Sequence, residues 1–69
     1  MITSLQEYSK LSHMADVAEE ALNSMRFGSH FMLKLELKKH GAQTSTREGD
    51  IKAARRLCDE FMTAYNAAE

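Results

Sequence analysis

From Tyr8 to Met25 the apolar residues Tyr8, Leu11, Ala15, Ala18, Leu22 and Met25 recur at spacings that alternate between 3 and 4. Only an α-helix lays such a series along one side. Leu5, Met14, Val17 and Ala21 widen the stripe. Just ahead of it, Ser4-Leu5-Gln6-Glu7 has the form of a capping box: the serine oxygen takes the N–H three residues on and the glutamate reaches back. A helix is predicted over about 4–27, with Asn23, Ser24 and Gly28 weakening its far end. Alanine at two central stripe positions lets a partner helix approach closely, in a tight hairpin or a dimer seam rather than a broad single-chain core.

That partner is at the other end of the chain. Ile51, Ala54, Cys58, Phe61 and Tyr65 repeat the 3 and 4 spacing, with Leu57, Met62 and Ala64 beside them. Ser45-Thr46-Arg47-Glu48 offers a second capping box, and Gly49 offers a later start at Asp50. The predicted helix covers about 46–66, and the residues after it have little to bury.

The stretch between, Phe27 to Gly41, carries two conflicting signals. Phe31, Leu33, Leu35 and Leu37 alternate with polar or flexible residues in the manner of a strand. The residue types are nevertheless helix formers without β-branching, and Lys38-Lys39-His40-Gly41 reads as a helix C-terminus. A strand here would need a partner chain to pair with, because no second strand is present to satisfy its backbone. A middle helix over about 29–40 is therefore expected, with apolar and charged positions interleaved around its whole circumference. The predicted fold is all-α: one domain over residues 1–69, three helices, the long first and last antiparallel and the middle one completing a bundle.

A chain of this length sits near the lower limit of independent folding. Surface scaling for 7.8 kDa gives about 11,000 Å² unfolded and about 4,400 Å² folded. The resulting hydrophobic gain and conformational entropy nearly cancel at about 100 kcal/mol each. The single Cys58 excludes an internal disulfide, so self-association into a dimer or higher homo-oligomer is the expected source of further stability. One cysteine and no charged-then-apolar leader point to the cytoplasm, and no apolar run reaches the roughly 18 residues of a membrane span.

No constellation for catalysis stands out. His13, His30, His40 and Cys58 are 17, 10 and 18 residues apart, matching no zinc signature. The three glycines form neither a dinucleotide fingerprint nor a phosphate loop, and Cys58 falls on an apolar stripe. A non-enzymatic protein without cofactor or metal is expected. Charge is uneven: residues 26–56 carry eight Lys or Arg against three carboxylates, while 1–25 and 57–69 each carry net −3. Lys38, Lys39, Arg47, Lys52, Arg55 and Arg56 are the candidates for nucleic-acid contact, although a pI near 6.3 lacks the usual basic footprint. The apolar alternative is stronger. Phe27, Phe31, Leu33, Leu35 and Leu37, with Phe61 and Met62, exceed what two narrow stripes absorb, and so predict a protein-binding surface. In size and composition the chain resembles the small accessory proteins of phages and plasmids, which implies a regulatory or adaptor role on a protein partner.

Overall fold

Three short polar segments set the helix boundaries. The structure is a computed structural model, and it describes residues 2–26 and 29–68, the Ser29 side chain apart. Those residues form α1 (Leu5–Asn23), α2 (Ser29–Lys39) and α3 (Arg47–Ala67). At the head of α1, Ser4 Oγ accepts the Glu7 N–H at 3.2 Å, as the capping box predicts. The reciprocal arm lands one residue earlier than that motif requires, since Glu7 Oε1 accepts the Thr3 N–H at 3.0 Å and the Thr3 hydroxyl at 2.6 Å.

The far end of α1 differs from expectation. The helix stops at Asn23, four residues short of the predicted limit, because the chain reverses at Met25. Arg26 N donates to Ala21 O at 2.7 Å and Met25 N to Leu22 O at 3.1 Å, the paired bonds of a Schellman motif. Met25 occupies its left-handed position with φ 56°. The stop foreseen at Gly28, and the residue itself, lie outside the described residues. The middle segment is helical, and its end follows the Gly41 signal: Gly41 has φ 67°, Ala42 N donates to Leu37 O and Gly41 N to Lys38 O.

For α3 the cap is Thr46 rather than Ser45, with Thr46 Oγ1 accepting the Gly49 N–H at 2.9 Å. Glycine at the third helical position cannot supply the returning carboxylate of a capping box. Asp50, one residue on, supplies it instead, reaching back to the Thr44 N–H and hydroxyl, both at 2.7 Å.

The long helices pack antiparallel: Tyr8 stacks on Phe61 with ring centroids 5.6 Å apart, Arg55 spans to Asp16 and Glu19, and Arg47 reaches the backbone of Arg26. α2 also runs against α1, since Lys10 meets Glu36 and Met14 and Val17 lie by Met32. α2 and α3 therefore run the same way, and the loop 40–46 doubles back along α2 between them. The core joins Leu11, Ala15 and Ala18 of α1, Leu33 and Leu37 of α2, Ile51, Ala54 and Cys58 of α3, and Ile2. The alanine stripe of α1 is buried as predicted, while Leu5, Val17 and Met25 from its edges, and Tyr65 of α3, are exposed.

Candidate functional site

α2 separates its apolar residues onto opposite sides. At about 100° per residue, positions 33 and 37 share one side and 31, 32 and 35 the other. Leu33 and Leu37 are fully buried against the other two helices. This corrects their expected place in a partner-binding surface: they are core. Phe31, Met32 and Leu35 stay 62%, 54% and 44% exposed. Phe27, also expected there, lies outside the described residues.

The exposed row adjoins α1. Met32 and Leu35, with Met14 of α1, floor a groove of about 480 Å³ edged by Lys10, Glu36, Lys38 and Lys39. Through Met14 and Met32 it continues into a shallower hollow of about 230 Å³ reaching Val17 and His13. Sequence reasoning missed the contribution of Met14, Val17 and Met32. The available signal was Met32, three residues before Leu35 on the helical face that Leu33 and Leu37 leave vacant.

Electrically the groove is lopsided. Glu36, its one carboxylate among the described residues, is 93% buried and is already shared among Lys10 Nζ at 3.6 Å, Lys39 Nζ at 3.5 Å and His40 Nε2 at 3.7 Å. Among the described residues no carboxylate lies within ion-pair distance of Lys38. A ligand entering the groove meets more cationic than anionic charge.

The six cations considered for nucleic-acid contact are not gathered on one surface. Lys38 and Lys39 edge the α1–α2 groove, whereas exposed Lys52 and Arg56 lie with Glu19, Asp59 and Glu60 along a depression on α3. Arg55 Nη2 is 2.7 Å from both Glu19 Oε1 and Asp16 Oδ1, and these bonds raise its pKa. Arg47 Nη2 donates to Arg26 O at 2.6 Å. Arg55 thus joins α3 to α1, and Arg47 joins α3 to the turn that follows α1.

A buried network also escaped the sequence. Asp50 has no exposed surface; beyond Thr44, its Oδ2 accepts Lys34 Nζ at 3.2 Å and lies 3.2 Å from His30 Nε2. Lys34 Nζ also donates to Thr44 O at 2.6 Å. Burial alone would push the Asp50 carboxyl up, but the Thr44 and Lys34 hydrogen bonds outweigh it and hold it below the ordinary value. The network fastens the returning loop to α2 and α3. Burial likewise pushes the Cys58 thiol up, in keeping with packing rather than nucleophilic use. Among the described residues no group of three or more His, Cys, Asp or Glu could hold a metal ion, and no helix is long and apolar enough to cross a membrane. Comparisons with protein-family models, curated proteins and solved structures find no match.

Proposed function

We propose that this is a non-enzymatic binding module, a small cytoplasmic regulator or adaptor that captures a protein partner on its α1–α2 face. The supporting observation is the division of α2: a helix whose inner residues are fully buried presents Met32 and Leu35 to solvent beside Met14 and Val17, with Phe31 exposed on the same side of α2. Contiguous apolar surface of this kind, rimmed by charge, is characteristic of partner sites. Methionine in the floor adapts to differently shaped side chains at little cost. The size class of phage and plasmid accessory proteins fits a protein that acts by covering such a face, and the homo-oligomer expected from chain length would form through another surface.

A panel of amphipathic helical peptides titrated into isotopically labelled protein tests the reading. Binding peptides should shift the backbone resonances of α2 residues 31–35 and of Met14 and Val17. Leu35→Asp should weaken binding on the order of 30-fold, as for a central contact, with helix content unchanged because the residue is solvent-facing. Shifts confined to other faces, or undiminished binding by Leu35→Asp, would contradict it.

A further inference from the structure

We infer that the occupant of the α1–α2 face is an acidic amphipathic helix of another protein, an assignment that rests on the docking reading above. Shape comes first. The floor lies between two antiparallel helices, and α2 offers 11 residues, about 16 Å of length. A groove of that form receives side chains spaced three and four apart from a helix of about three turns.

Charge then selects the sign. The rim presents Lys10, Lys38 and Lys39, and Glu36, its only carboxylate among the described residues, is buried beneath cations. Acidic residues flanking the partner's apolar stripe gain from this rim, and basic ones are repelled. A second copy fits less well. Pairing the face with itself sets lysines against lysines, and all four acids of α1 are already engaged: Asp16 and Glu19 by Arg55, Glu20 by Arg26, Glu7 by Thr3. Nucleic acid fits less well again, because the floor beside these lysines is apolar and Lys52 and Arg56 lie on another side.

Two synthetic helical peptides with the same Leu/Met stripe, one flanked by glutamates and one by lysines, separate the possibilities. The acidic peptide should bind at least about tenfold tighter at roughly 50 mM salt, and the preference should collapse near 1 M salt. Replacing both rim lysines, Lys38→Glu with Lys39→Glu, should reverse the preference without loss of helix content. Equal binding of the two peptides, or preference for the basic one, overturns the acidic assignment and leaves the docking face standing. Failure of both peptides to bind overturns both readings. The acidic assignment also falls if resonances of this face move only with phosphatidylcholine/phosphatidylserine vesicles, with a mixed-sequence DNA duplex, or with rising concentration of the protein itself.

Discussion

Met25 holds a left-handed backbone that side chains with a Cβ adopt at a penalty, and its own side chain, 83% exposed, gains little in return. Met25→Gly is therefore expected to stabilise the protein by about 0.5–1 kcal/mol. Gly49 is the converse. Its φ is not left-handed, and alanine in an exposed helix is ordinarily favoured by about 1 kcal/mol. Here a Cβ would sit 2.6 Å from Thr44 Oγ1, 2.7 Å from Thr46 Oγ1 and 3.2 Å from Thr44 Cβ. Those hydroxyls hold Asp50 and the Gly49 N–H, so Gly49→Ala should destabilise by about 1–2 kcal/mol. Urea unfolding of the two variants should give opposite signs, each the reverse of what substituting glycine in or out of a regular helix does. The cap at Ser4 and the turn at Gly41 were legible because each depends on one residue's own chemistry. The turn at Met25 was not, since nothing about methionine marks a left-handed position. Nor was Asp50, whose burial depends on a lysine 16 residues away.

At the scale of the element, α2 shows what a sequence can and cannot reveal. Its residue types favoured a helix over a strand, and the structure is helical. Which apolar residues faced inward could not be read from an evenly apolar circumference; in the structure Leu33 and Leu37 join Leu11, Ala15 and Ala18 of α1 in the core. The two sides should respond differently to truncation. Leu33→Ala or Leu37→Ala should cost about 2–4 kcal/mol in denaturant unfolding, whereas Phe31→Ala or Leu35→Ala should stay within about 1 kcal/mol while weakening peptide binding. Similar stability losses on both sides would mean that Phe31 and Leu35 are core rather than contact residues. The long helices were easier, because their stripes repeat over five or more positions and each is closed by a capping residue. Leu5 and Val17 at the edges of the α1 stripe, Met25 at its end and Tyr65 at the end of the α3 stripe were assigned too much burial.

For the whole molecule, the Asp50 network decides how the return loop is held, and it titrates. Burial depresses the His30 pKa, opposed by Asp50 and assisted by Lys34 and Arg47. The unfolded chain thus takes up a proton at His30 more readily than the folded one, and stability should begin to fall below the ordinary histidine value of 6.5. Asp50 and Glu7 have depressed carboxyl pKa values, so their contribution is present above the ordinary carboxyl range and is lost at lower pH. Thermal unfolding from pH 8 to pH 3 should show both declines, with His30→Leu removing the first. Asp50→Asn should cost about 2–3 kcal/mol at neutral pH and flatten the second. The folded surface of 4750 Å² exceeds the roughly 4,400 Å² that scaling gives for this mass, in line with an elongated body of 41 × 20 × 17 Å that leaves its α1–α2 groove open. The loop that doubles back also has an electrical consequence. An up-down-up bundle would pair α1 with α3 against the middle helix; the returning loop instead makes α2 and α3 the pair that points together against α1. Two helix macrodipoles add and one subtracts, leaving about half an elementary charge uncancelled at each pole. Lys38 and Lys39 end α2 at its negative pole, and Glu48 and Asp50 begin α3 at the positive one. The full charges of these side chains thus oppose the backbone polarity at each pole.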